Sequence, residues 1–204
     1  FLLISIIFKT KLIQRLDGFY DFSNVGRNTR TLKCFCINIV MQFIRKYLAD
    51  HIIYQSLTSK KLWDKNFNKV GTKYSIIHNP SFHNLSNVKI NYKKRKYFDL
   101  VIVEGNIEDN AYNDKLFEIV HNVSNKLNFI KKVYIFGHIQ KSFKKKLLIK
   151  RKFIIKNTAS HNQLKKFYNK NNLIFFGIEF NPCCSNSIIE ANSFGIPSIT
   201  LNTG

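Results

Sequence analysis

The residues with the most chemistry in the shortest span are "NPCCSNSIIEANSFGIPSIT", positions 181 to 200. A loop of small polar groups runs into a helical stretch and then, past a Gly-x-Pro, into a strand. A helix start presents unpaired backbone N–H groups and the positive end of a dipole, so a diphosphate placed there needs little other charge. Ser185, Asn186 and Ser187 are small enough for phosphates to approach the backbone, and their side chains can add hydrogen bonds. Glu190 follows one turn further in, where a carboxylate can accept two hydrogen bonds from a vicinal diol such as a ribose. The same residues also satisfy a purely structural reading. Ser and Asn favour helix caps, and Ser187 with Glu190 three positions on has the spacing of a capping box. Spacing alone leaves both readings open.

The elements that must position these groups alternate between strand and helix. An apolar run at 2–8 reads as a buried strand, residues 31–48 as a helix, "DHIIYQS" as a strand, "LTSKKLWDKNF" as a helix capped by Ser56, and "KYSIIHNP" as a strand stopped by Asn79-Pro80. After a polar, basic stretch the rhythm restarts. "YFDLVIVEGN", "KKVYIFGH", "NLIFFGI" and "PSITLN" read as strands, and "NDKLFEIVHNVSNKL", "SHNQLKKFYNK" and the helix of the 181–200 segment lie between them. Short, wholly apolar strands separated by helices predict doubly wound α/β lobes, each a parallel sheet covered on both faces. The expected organisation is one lobe over 1–80, a linker over 81–96 and a second lobe over 97–204.

In such sheets ligands sit outside the carboxyl ends of the strands. That rule selects Arg15 and Asp17 in "RLDG", then Gln55 and Ser56, Glu104, Gly105 and Asn106, Gly137 and His138, and the loop before Glu190. Asp17 is placed to touch an acceptor hydroxyl, or equally to form a turn before Gly18 with a salt bridge to Arg15.

Composition bounds the class. With 45% apolar and 14% aromatic residues over 204 positions the chain has material for a sizeable core, and a disordered chain is excluded. The formal charge of +21 points to polyanions, but Lys, Asn, Ile, Phe and Tyr are abundant together, as an A/T-rich coding sequence would impose whatever the function. The Lys-rich runs lack the glycine and aromatic pattern of a single-strand RNA-binding sheet, so nucleic acid is the disfavoured partner. The cysteines fall as C-x-C at Cys34 and Cys36 and as adjacent Cys183 and Cys184, without C-x2-C spacing, so no metal site is expected. "FLLISIIF" is too short to span a bilayer and its lysines follow it, unlike a signal peptide; the expected location is cytoplasmic. The chain starts at Phe1 and its one methionine is Met41, so it reads as an internal piece of a longer protein.

The run "PCCSNSIIEANSFGIPSITLNTG" resembles the donor-site segment of retaining glycosyltransferases of the two-lobed GT-B type, the group 1 (family 4) set. Members often read "D-P-C-S-N-S-x-x-E-A-x-x-x-G-x-P", which Ser185, Asn186, Ser187, Glu190, Ala191, Gly195 and Pro197 match. "RLDG", "ADHIIYQSLTSKK" and "IIHNP" look like the end of the acceptor lobe and the crossing to the donor lobe, so the resemblance extends over nearly the whole chain. It implies a nucleotide-sugar donor held by the second lobe, a glycan, lipid or other acceptor held by the first near Arg15 and Asp17, and transfer with retention and no required metal or other cofactor. Glu190 would bind the ribose, the backbone at Ser185, Asn186 and Ser187 the diphosphate or sugar, and Gly105 with Asn106 would flank the donor. A basic acceptor lobe of this kind also implies peripheral contact with anionic membrane. Two positions depart from the pattern: Pro182 stands where many relatives carry a first carboxylate, and "EGNIEDN" replaces a loop that usually carries an Arg and a Lys. Lys115 and Lys141 are left as sources of that charge. The resemblance names no catalytic side chain here. The alternatives are another GT-B enzyme, such as a sugar-nucleotide epimerase, and a basic nucleic-acid-binding or non-catalytic α/β module.

Overall fold

The computed structural model describes residues 10–18, 30–80, 96–170, 172–178 and 185–200. They fall in two compact units, divided after Pro80. Among the described residues no helix is long and apolar enough to cross a membrane.

The first unit runs β1 (Ile13–Leu16), α1 (Arg30–Phe43, continued by a π-helical turn, Ile44–Leu48), β2 (His51–Tyr54), α2 (Leu57–Phe67) and β3 (Tyr74–Ile76). The strands form a parallel sheet in the order β1-β2-β3, with Ile13 opposite His51 and Ile52 opposite Tyr74. Residues 2–8, expected as a strand, lie outside the described residues. Among the described residues the first strand, β1, is "IQRL", whose two polar residues give it the look of a loop. Alternation explains it: Gln14 and Leu16 turn inward, and the Gln14 side-chain N–H donates to the Met41 carbonyl at 2.9 Å.

Arg45, at the π-helical turn, is fully buried against Tyr54 and Trp63. Its guanidinium donates to the Tyr54 hydroxyl at 2.7 Å and the Asn68 carbonyl at 3.0 Å, and pairs with Asp64. A buried charge persists only when its donors are filled in this way.

The second unit runs β4 (Phe98–Ile107), α3 (Ala111–Lys126), β5 (Ile130–Ile139), α4 (Lys141–Leu148), β6 (Phe153–Lys156), α5 (His161–Lys170), β7 (Leu173–Gly177), α6 (Asn186–Ser193) and β8 (Ser198–Thr200). All neighbouring strands are parallel, in the order β6-β5-β4-β7-β8. The chain therefore winds outward from β4 through β5 to β6 and then returns to β7 on the other side of β4, a Rossmann-like arrangement. Both faces are covered. Leu100 and Ile102 pack with Leu116, Phe117, Phe143 and Leu147 from α3 and α4, while Val101 packs with Leu164, Tyr168 and Ala191 from α5 and α6. Helix α4 falls within the Lys-rich run over 141–153, at whose last residue, Phe153, strand β6 starts. Phe143 and Leu147, one turn apart, are buried there while Lys145 and Lys146 face outward.

Candidate functional site

The reversal of winding places a crevice between the carboxyl ends of β4 and β7, where doubly wound sheets hold ligands. On the β4 side the strand continues to Ile107, one residue past the expected "YFDLVIVEGN", so Glu104, Gly105 and Asn106 lie within it. The register shifts between Val103 and Asn106, and the bulge is held locally: the Glu104 carboxylate accepts from the Gly105 N–H at 3.0 Å. The Asn106 amide donates to Glu108 at 3.1 Å. Gly105 is exposed, and a Cβ there would meet nothing within 4 Å, which leaves the backbone open to a close approach.

Helix α3 then starts with Asn110, whose side chain accepts from the Asn113 N–H at 2.8 Å. The Tyr112 hydroxyl donates across the crevice to the Ile178 carbonyl at 3.0 Å, tying this helix start to the exit of β7. Lys146 contacts Asp109 at 2.7 Å and Asp114 at 2.9 Å. Its hydrogen bond, with one from Ser142, holds the Asp109 carboxyl below its ordinary range. The acidic residues at this end are thus partly balanced, by Lys146; Lys115 and Lys141 are exposed.

On the β7 side, Gly177 lets α6 sit close to the strand end, since a Cβ there would stand 2.9 Å from Ile188 Cδ1. The helix cap is Ser185: its buried Oγ accepts from the Ile188 N–H at 3.4 Å and lies 2.9 Å from the Ser187 hydroxyl. Asn186 is exposed at the first helical position and Ser187 half-buried at the second. With the cap at Ser185, the capping-box position is Ile188. Glu190 falls in the second turn, and the capping role open to it in the sequence is not the one it takes. Residues 181–184, the rest of the loop, lie outside the described residues.

The Glu190 carboxylate instead faces helix α5. His161 Nδ1 stands 2.7 Å from Glu190 Oε1, and the Glu190 side chain is 13% exposed. That contact has ion-pair distance without hydrogen-bond alignment, and Oε1 is buried with no hydrogen-bond donor. The Tyr168 hydroxyl is likewise buried and without a partner. Burial first, and then the negative charge of Glu190, push its pKa well above the ordinary phenol value, so it stays an O–H group. His161, Leu164 and Tyr168 are spaced three and four apart and share the face of α5 that meets α6; the Tyr168 ring lies 5.4 Å from that of Phe194. Sequence reasoning passed over His161 and Tyr168. The available signal was this spacing, which puts an imidazole and a phenol in line with a buried leucine.

In the first unit, Arg15 and Asp17 form an exposed pair at 3.0 Å, and the Arg15 guanidinium also donates to the Asn79 side chain beyond β3. The Asp17 carbonyl accepts from the Ser59 hydroxyl. The expected salt bridge to Arg15 is therefore present, and the pair also remains open to solvent at the carboxyl ends of β1 and β3. Such exposed pairs contribute little to stability, on the order of 0–1 kcal/mol. His138 is exposed, and His51 contacts the Ser75 hydroxyl at 2.9 Å. Among the described residues no group of three or more His, Cys, Asp or Glu is arranged to hold a metal ion. No protein-family model matches the chain, and no curated protein matches it significantly.

Proposed function

We propose that the second unit binds a nucleoside-diphosphate sugar at the β4–β7 crevice, and that the chain is part of a GT-B glycosyltransferase that transfers the sugar, with retention, to a glycan, lipid or other acceptor. The observation that carries this reading is Glu190: a carboxylate beside the start of α6, released from capping, with Oε1 buried against His161 and the side chain still 13% exposed. An acceptor-only group in that state is suited to the hydroxyls of a ribose. The start of α6, with Ser185, Asn186 and Ser187, supplies fixed N–H dipoles for the diphosphate. Charge builds up on that diphosphate as the sugar departs, so these dipoles act where the transition state needs them. Gly105 and Asn106 form the facing wall, and Arg15 with Asp17 are the groups offered to an acceptor.

The test is thermal stabilisation by uridine, guanosine and adenosine diphosphates. The expected outcome is stabilisation by at least one of them, with affinity reduced about ten- to a hundredfold in Glu190→Gln, the size of lost hydrogen bonds to a charged group. Stabilisation by nucleic acid alone would overturn the reading in favour of a nucleic-acid-binding module. The positive charge adds a peripheral contact with anionic membrane to the proposal. It is rejected if the chain sediments no better with anionic than with neutral vesicles at low salt.

A further inference from the structure

We infer that His161 is a positioning residue for Glu190, fixing the carboxylate so that the site distinguishes a ribose from a sugar lacking its vicinal hydroxyls; this rests on the nucleotide-sugar reading above. A glutamate on a helix surface has three rotatable bonds, and a carboxylate that samples many rotamers gives up affinity each time a ligand must order it. Glu190 is not left to do so. The His161 imidazole stands 2.7 Å from Oε1, from the neighbouring helix, and the two helices are locked together beside this contact by Tyr168, Phe194, Leu164 and Ala191.

Position on the helix strengthens the argument. His161 is the first residue of α5, one turn before the buried Leu164, so it meets Glu190 from the end of the packed face. Its side chain is 43% exposed, so it contributes little to the core, whereas Glu190, which it contacts, is 13% exposed. A partly exposed imidazole that meets a largely buried carboxylate is poorly explained by packing. It is well explained by a need to hold an anion at one orientation. Tyr168 closes the inner side of the same cluster with a neutral hydroxyl, so the only basic side chain in contact with the carboxylate among the described residues is His161.

The chemistry recognised is a cis-diol. Two adjacent hydroxyls can donate to a carboxylate together only if its plane is turned toward them, and a misaligned carboxylate accepts one bond or none. Loss of His161 therefore falls on the diol and not on the diphosphate, which is held at the start of α6.

The experiment compares nucleoside diphosphates with their 2′,3′-dideoxy forms by calorimetry, on the full chain and on the variants His161→Ala, His161→Asn and Glu190→Gln, with melting temperatures recorded for each. The asparagine amide places an N–H donor near the position of Nδ1. The expected result is a ribo-over-dideoxy preference in the wild type that drops about tenfold in His161→Ala, the size of having to order one rotamer-rich side chain on binding. The preference should be largely restored in His161→Asn and lost in Glu190→Gln. If Glu190→Gln removes the preference while His161→Ala keeps it, the positioning role is wrong and the nucleotide reading stands. If His161→Ala weakens both ligand forms equally or only lowers the melting temperature, the residue is structural and the inference is overturned. If the wild type binds none of the nucleotides, the underlying reading fails.

Discussion

Gly137 shows how far a single residue's role depends on its neighbours. Its φ of +154° is a region that L side chains rarely adopt, and a Cβ there would stand 2.3 Å from the Glu104 carbonyl on the adjacent strand. Gly137→Ala should destabilise the second unit by about 2–4 kcal/mol, combining backbone strain with a clash that no flexible side chain can relieve. Denaturant titration checks this, and a change below about 0.5 kcal/mol would refute it. The sequence reveals a glycine at a strand end but not the carbonyl opposite it. Glu190 is the converse. Its residue type and spacing mark it as a carboxylate near a helix start, yet two roles fit until the cap is located at Ser185 and the imidazole of His161 beside it. The cap is local, but the contact with His161 is not, which is why the carboxylate was legible and its partner was not.

At the scale of elements, periodicity announced the strands with unbroken apolar runs, and it failed where polar residues do the packing. β1 was hidden because Gln14 is buried with a hydrogen bond, and α4 because only Phe143 and Leu147 of its 8 residues make up its buried face. Helix α3 carries a group with a testable consequence. His121 contacts the Phe153 ring edge-on at 5.7 Å, and burial, followed by the charges of Lys150 and Lys152, lowers its pKa from the ordinary 6.5. The folded state therefore resists protonation, and below pH 6.5 the unfolded chain binds more protons than the folded one. This contribution to stability is present above that value and is lost as pH falls through it toward the lowered folded pKa. Asp99 acts in the opposite sense at lower pH: burial raises its pKa from 3.8, so protonation there favours the folded state. Denaturation midpoints between pH 8 and pH 5.5 should decline in the wild type and decline less in His121→Gln. Parallel curves for the two proteins would show that His121 makes no such contribution.

At the scale of the whole molecule the charge of +21 poses the question that separates a nucleotide site from a nucleic-acid surface. The two would sit at opposite ends of the second unit. The candidate site lies at the carboxyl ends of β4 and β7, whereas a basic groove of about 540 Å³, with Lys96, Lys126 and Lys131 around Tyr97 and Phe129, lies at the amino ends of β4 and β5. Lys131 Nζ is 3.9 Å from the centre of the Tyr97 ring, so that aromatic face is taken by a cation and is not free to stack a base. Contact of this groove with a polyanion should therefore be counterion release and little else. Affinity for a labelled single-stranded oligonucleotide should fall steeply between 50 and 200 mM salt, and Lys126→Glu with Lys131→Glu should flatten the log–log slope by about 1.4, two phosphate contacts at roughly 0.7 each. Under the proposed reading, nucleoside-diphosphate affinity should be unchanged by those two substitutions, because the proposed donor groups, a carboxylate and helix N–H groups, lie at the other end of the sheet. If the double variant lost nucleotide and oligonucleotide together, a single anion surface would account for both. The distinction between donor site and basic surface would then collapse.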